Sequence, residues 1–187
     1  MNRAHRRYCR SQRWSRTVAH TILPPALAGC DLGDNLLEVG PGPGVTTDLL
    51  RGRVSRLTAL EIDPRLASAL ERRLRHTNVT VVHGDASRIP FADDTFSGAV
   101  CFTMLHHVPS VSLQDRVFAE LHRVLQPGGV LAGSDSLGGT WFFRLIHLFD
   151  TRVLVDPATL PQRLAQAGFG DISVHAQGRL RFQARKV

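Results

Sequence analysis

Short, mostly aliphatic blocks alternate along this chain with longer stretches in which apolar residues recur every third or fourth position. The continuous blocks predict buried strands at about 35–39, 57–61, 79–83, 97–102 and 130–135. Between them the spacing predicts helices. One runs from about 44 to 53. A second opens at Asp63-Pro64, a suitable N-cap and first helical residue, with Leu66, Leu70 and Leu74 on one face and Glu71, Arg72, Arg73 and Arg75 outward. A third starts near Ser112, with Asp115 three residues later as an approximate capping box and Leu113, Val117, Leu121 and Val124 as its apolar face. Gln126-Pro127-Gly128-Gly129 then reads as the turn into the fifth strand.

The second half is less regular. The aromatic stretch at 141–149 predicts a helix, and Asp156-Pro157 opens a clearer one that ends at Gly168. Residues 171–176 and 179–185 read as two strands joined by a tight turn at Gln177-Gly178. Strands and helices in alternation with short connections predict an α/β fold. Its sheet is doubly wound and mostly parallel, with seven strands and a C-terminal antiparallel hairpin. The NAD-binding form of this architecture usually lacks that hairpin.

The sequence has 187 residues, 43% hydrophobic and 21% charged, which predicts one soluble globular unit rather than a disordered chain. No apolar run approaches the ~18 residues of a membrane helix. The net charge of +7 is unevenly placed. Residues 1–30 hold six arginines (Arg3, Arg6, Arg7, Arg10, Arg13, Arg16) and no acid, which leaves 17 basic against 16 acidic residues in the rest. Residues 1–30 are therefore read as a helical lid or cap, and 31–187 as the main domain. Lys186 is the sole lysine. Cys9, Cys30 and Cys101 are odd in number and far apart, which argues for a reducing cytoplasm and against structural zinc or an iron–sulfur cluster. An Arg-rich start followed by Leu27-Ala28-Gly29-Cys30 imitates a lipoprotein signal, but His20, Pro24 and Pro25 interrupt its apolar part. A helix packed before the first strand, ending at Gly29, is the expected alternative.

The richest motif is Leu36-Leu37-Glu38-Val39-Gly40-Pro41-Gly42-Pro43-Gly44. It reads as a buried strand ending in a turn whose backbone approaches a ligand closely, which Gly40, Gly42 and Gly44 permit. The loop and the helix after it would offer backbone N–H groups to a carboxylate. The dinucleotide fingerprint needs a further glycine where Val45 stands.

Three more blocks follow in order: Leu60-Glu61-Ile62-Asp63-Pro64, then His83-Gly84-Asp85-Ala86 with Ile89-Pro90-Phe91, then Glu120 through Val130. Together the four blocks resemble class I S-adenosylmethionine-dependent methyltransferases, in particular the small ubiquinone/menaquinone-biosynthesis-like (type 11) group, over about residues 35–185. The resemblance implies S-adenosyl-L-methionine as cofactor and S-adenosyl-L-homocysteine as product. It implies that the glycine loop wraps the methionine half of the cofactor, with Glu38 near its amino group. Glu61 would take the ribose hydroxyls, with Ile62 beside it, while Asp63 is read as a helix cap. Asp85 and the backbone of Ala86 would meet adenine. The block from Glu120 to Val130 would be structural. Strand four begins Phe96-Ser97 where the family commonly has Phe-Asp, a departure from which little functional consequence is expected.

Strand four ends in Cys101-Phe102-Thr103-Met104-Leu105-His106-His107-Val108, where the fold brings its methyl acceptor. An Asn/Asp-Pro-Pro-aromatic motif and a Pro-Cys nucleophile are absent there, and one lysine is too few for a ribose-methylating set. The remaining expectation is a small-molecule acceptor methylated at O, N or C. His106 is the candidate general base, with His107 either beside it or shaping the loop. Tyr8, Trp14, Trp141, Phe142, Arg144 and His147 are candidates to close the acceptor pocket. The Arg-rich start leaves open an rRNA or tRNA methyltransferase, against which the near-neutral body stands. A non-catalytic cofactor-binding module is the remaining alternative. The site implies no resident metal.

Overall fold

The computed structural model describes residues 7–138 and 152–187 of the chain. Seven strands form one sheet: β1 (Asn35–Val39), β2 (Arg56–Glu61), β3 (Val79–His83), β4 (Phe96–Phe102), β5 (Leu125–Asp135), β6 (Phe169–His175) and β7 (Leu180–Lys186). Their order is β3-β2-β1-β4-β5-β7-β6. Strands β1 to β5 pair in parallel, whereas β7 runs antiparallel to both β5 and β6. Strand order reverses between β1 and β4, and in open sheets of this kind ligands bind at the carboxyl ends beside that switch point.

The helices are α1 (Gln12–Thr17), α2 (Leu23–Ala26), α3 (Val45–Leu50), α4 (Pro64–Leu74), α5 (Val111–Val124) and α6 (Leu160–Gln166). Adjacent strand residues point to opposite sides, so β1 feeds two cores. Leu37 and Val39 join Phe118, Leu121 and Leu164 on the α5/α6 side. Leu36 joins Leu57, Val100 and Ala132 on the other, where Val18, Ile22, Leu23 and Ala26 cover the sheet. The stretch from Val18 to Ala26 is thus part of the core layer in front of β1. Its prolines cause no break: a π-helical turn (Val18–Ile22) precedes them, and Pro24 and Pro25 sit in the first turn of α2, where a missing N–H costs nothing.

Of the boundaries that differ from the expected ones, three have a local cause in capping, strand pairing or a turn. Helix α5 is capped by Ser110, whose hydroxyl accepts from the Leu113 N–H, rather than by Ser112. Strand β5 starts at Leu125, opposite Phe96, and absorbs 126–129 as an irregularity before the regular register from Gly98 opposite Val130. Asp156 closes a local turn by accepting from the Ala158 N–H, and α6 begins only at Leu160. The expected helix at 141–149 lies outside the described residues. Among the described residues, no helix is long and apolar enough to cross a membrane.

Candidate functional site

The carboxyl edge of the sheet carries most of the residues singled out by the sequence. Gly40, Gly42 and Gly44 all have left-handed backbones, with φ of +67°, +55° and +88°. Their surroundings assign them different tasks. A Cβ at Gly40 would meet the Met104 side chain at 2.8 Å, and one at Gly44 would strike Leu70 Cδ1 at 2.3 Å. A Cβ at Gly42 would meet nothing within 4 Å. So Gly40 admits the β4 loop, Gly44 admits helix α4, and Gly42 faces open space.

Glu61, at the tip of β2, is only 5% exposed. Its Oε2 accepts the Gly42 N–H at 2.8 Å and its Oε1 the Asp63 N–H at 2.9 Å. Each oxygen keeps a second lone pair, so the carboxylate can still receive two hydroxyl donors. Asp63 caps α4, accepting from Arg65 N and Leu66 N. Ile62 between them is 64% exposed, an apolar side chain held out at the rim. Asp85 is exposed after β3; its Oδ1 accepts the Ser87 N–H, and Ala86 beside it is buried.

The glycine N–H groups do not point to a ligand as expected. Gly40 donates to Leu60 O, Gly42 to Glu61 and Gly44 to Pro41 O. The loop uses these donors to hold its own shape, which leaves a ligand carboxylate to groups beyond the three glycines.

Glu38 is 1% exposed on β1. Thr46 donates to its Oε1, while Oε2 is buried without a hydrogen-bond partner among the described residues. Burial pushes its carboxyl up to about 7, against the opposing pull of the Thr46 and Thr47 hydroxyls and with the added push of Asp48 and Glu61. A buried, unsatisfied carboxylate beside an open glycine cradle fits a ligand with a cationic amino group. Vicinal hydroxyls fit Glu61 equally well. These residues therefore match a nucleoside carrying an amino-acid tail. A cleft of about 290 Å³ between α3 and α4 borders the same loop through Gly42 and Pro43, but it is lined by Arg10, Leu66 and Arg73 and touches neither Glu38 nor Glu61.

The other half of the edge holds the residues that the sequence reading assigned to the acceptor. Thr103, just past β4, adopts φ +54°, a strained value for a β-branched residue, with its N–H bonded to Ser134 O at 2.7 Å. The chain then turns through Leu105–His107. His106 is buried, and its Nδ1 lies 2.5 Å from Asp135 Oδ1 while its backbone N–H reaches Asp135 Oδ2 at 3.1 Å. Burial pushes the Asp135 carboxyl up, but the facing His106, with the N–H groups of Ser136 and His106, outweighs it and holds Asp135 below its ordinary value. Gln114 fixes the same turn by donating to Leu105 O and Val153 O. The His107 ring lies 4.1 Å from that of His106, centroid to centroid.

Sequence reasoning missed Asp135 and Gln114. The signal for Asp135 was available: a lone acid closing a strand at the ligand-binding edge. Tyr8 lies near Arg179 on β7's approach, and its ring is 5.4 Å from that of Trp14. Trp14 itself packs on the core layer of Val18 and Ile22. Trp141, Phe142, Arg144 and His147 lie outside the described residues. Among the described residues, no cluster of three His, Cys, Asp or Glu is placed to hold a metal ion.

A sheet of this strand order, with an acid before a glycine loop and a second acid at the tip of β2, defines a class I S-adenosylmethionine-dependent methyltransferase architecture. The family model described as a methyltransferase domain matches residues 37–133, and the chain belongs to this family. A probable S-adenosylmethionine-dependent methyltransferase of Mycolicibacterium smegmatis is 30% identical over 153 residues, covering 80% of this chain and 57% of the relative. A probable ribosomal RNA small subunit methyltransferase A of Thermococcus onnurineus is 42% identical over 60 residues, which is 32% of this chain and 22% of that protein. The chain thus spans between about a fifth and somewhat over half of these relatives' lengths. A chain of the complex between the Haloferax volcanii Trm112 methyltransferase activator and a putative methyltransferase superimposes with a TM-score of 0.76 at 14% identity, covering 100% of this chain and 99% of that one. That likeness concerns the fold.

Proposed function

We propose that the protein transfers the methyl group of S-adenosylmethionine to a small-molecule acceptor, with His106 as the base that receives the acceptor's proton. The observation behind this reading is the contact of His106 Nδ1 with Asp135 at the sheet edge beside the β4 loop. The cofactor supplies a methyl group already activated on a sulfonium, so the chain's own task is to hold, orient and exclude water. Glu61 receives the ribose hydroxyls on its remaining lone pairs, and Glu38 faces the ammonium group. Asp85 and the Ala86 backbone read the adenine edge, with Ile62 packed against the base. Asp135 keeps the proton of His106 on Nδ1 and stabilises the imidazolium that forms when Nε2 takes a proton from an acceptor hydroxyl or amine. Tyr8 and His107 border the acceptor.

The test is transfer of a labelled methyl group from S-adenosylmethionine to a panel of phenols, amines and hydroxy acids. Wild type is expected to label at least one of them. His106→Asn should lose transfer while retaining S-adenosylhomocysteine binding; unchanged transfer would remove His106 as the base. A ribosomal RNA acceptor is the second reading, favoured by the six arginines of residues 1–30 and the 60-residue match to an rRNA methyltransferase. It requires labelling of RNA and an affinity that falls steeply with salt.

A further inference from the structure

Two cations at the start of β7 have no role in the chemistry above. Arg179 and Arg181 alternate with Leu180 and Phe182, which are core residues. Both arginines therefore share the opposite face, the one on which Gln183 donates to the carbonyls of Ala26 and Ala28. Arg179 Nη2 and Arg181 Nε are buried, and neither has a hydrogen-bond partner among the described residues. Among the described residues Arg179 reaches only Ser134 Oγ, through Nε at a long 3.5 Å.

Three other arginines packed against the body are paired with carboxylates. Arg163 meets Asp115 at 2.6 Å, Arg123 meets Glu120 at 2.8 Å and Arg73 meets Asp48 at 2.7 Å. Asp135 is the carboxylate whose charge acts on Arg179, and Tyr8 acts on it from the N-terminal segment. Asp135, however, already accepts from the His106 ring, the His106 N–H and the Ser136 N–H. A buried guanidinium N–H left unused is costly to the fold, which points to a partner other than the described residues.

We propose that Arg179, supported by Arg181, binds an oxyanion carried by the methyl acceptor, a carboxylate or a phosphate, at the carboxyl edge of the sheet that also carries His106. This rests on the reading of His106 as the acceptor-side base. The planar guanidinium fork matches either anion with two parallel hydrogen bonds. Register places Arg181 opposite Ser134 and Leu180 opposite Asp135, so the two arginines share the Ser134 face and the anion lies one residue along β5 from Asp135, across the carboxyl edge of the sheet. The acceptor is then an acid or phosphate ester whose anionic group and nucleophilic oxygen or nitrogen span the carboxyl edge between β7 and the β4 loop. A neutral isostere is rejected because it leaves the fork unpaired.

The test titrates benzoate, phenyl phosphate and neutral benzamide into the protein saturated with S-adenosylhomocysteine. At least one anion should bind tenfold or more tightly than benzamide, and which one does so separates carboxylate from phosphate. Arg179→Gln should abolish that preference and Arg179→Lys restore part of it, with S-adenosylhomocysteine affinity unchanged in both. Where Arg179→Gln loses S-adenosylhomocysteine binding and so fails to fold, Arg181→Gln replaces it, with a threefold or greater loss of anion preference expected. Equal binding of the three probes, or a preference that survives these substitutions, overturns the proposal. Failure of the wild type to bind S-adenosylhomocysteine would instead overturn the methyltransferase reading, and the probes are then titrated without it.

Discussion

Glu61 Oε2 accepts the Gly42 N–H at 2.8 Å, so the carboxylate at the tip of β2 and the glycine loop after β1 form one mechanical unit. Losing that carboxylate removes two hydroxyl acceptors and frees the loop at once. Glu61→Ala should weaken S-adenosylhomocysteine binding by about 10²-fold, the scale of two charge-assisted hydrogen bonds. Calorimetric titration measures it, and an unchanged affinity would show that Glu61 only braces the loop.

Gly42 and Gly44 separate binding from folding. A methyl group at Gly44 strikes Leu70 at 2.3 Å and Arg73 Nη2 at 2.4 Å on top of the left-handed φ. Gly44→Ala should lower stability by roughly 2 kcal/mol or more. At Gly42 the added methyl enters open space, so the cost is the ~1 kcal/mol of left-handed backbone, while the methyl takes up room in the proposed cofactor cradle. Gly42→Ala should therefore melt close to wild type yet lose cofactor affinity. Thermal melts with and without S-adenosylhomocysteine compare the two.

Glu38 should make cofactor binding pH-dependent. Burial raises its carboxyl from 4.5 to about 7. The folded state therefore holds the proton more tightly than the unfolded chain, and the unliganded protein loses stability as pH rises from about 4.5 to about 7. A cationic amino group favours the ionised carboxylate, so cofactor affinity should increase across the same rise and level off above pH 7. Glu38→Gln should flatten that profile, weaken binding at pH 8 and raise the unliganded melting temperature there by a few degrees.

In the proposed mechanism Asp135 is a positioning residue for His106. Asp135→Asn keeps the shape but no longer holds the proton on Nδ1, and should lower kcat by ~10²–10⁴-fold. S-adenosylhomocysteine affinity should stay within twofold, because Asp135 lies on the acceptor half of the edge. A loss in KM alone, with kcat preserved, would count against the tautomer role.

The strands and the cofactor half were legible because local pattern determines them. Alternating faces on β1, the Asp63-Pro64 cap and the acid at each strand tip all express contacts made within a few residues. The acceptor half depends on distant pairs. His106 and Asp135 are 29 positions apart, and only the β4–β5 register brings them together. The same holds for the capping error at α5: Ser110 and Ser112 both suit the position, and their competition is decided by where the preceding turn ends. The engagement of the glycine N–H groups by Leu60, Glu61 and Pro41 was likewise invisible, since it needs the folded loop. Arg179 read as a strand residue among many arginines until its missing partner set it apart.

The methyl-donor site is tested most directly by titrating S-adenosylhomocysteine and NADH, in parallel, into the wild-type protein. One S-adenosylhomocysteine site of micromolar affinity, sharply weakened in Glu61→Ala and Gly42→Ala, with no heat from NADH, is the predicted result. Absence of S-adenosylhomocysteine binding at millimolar concentration, or binding of NADH in its place, would contradict it.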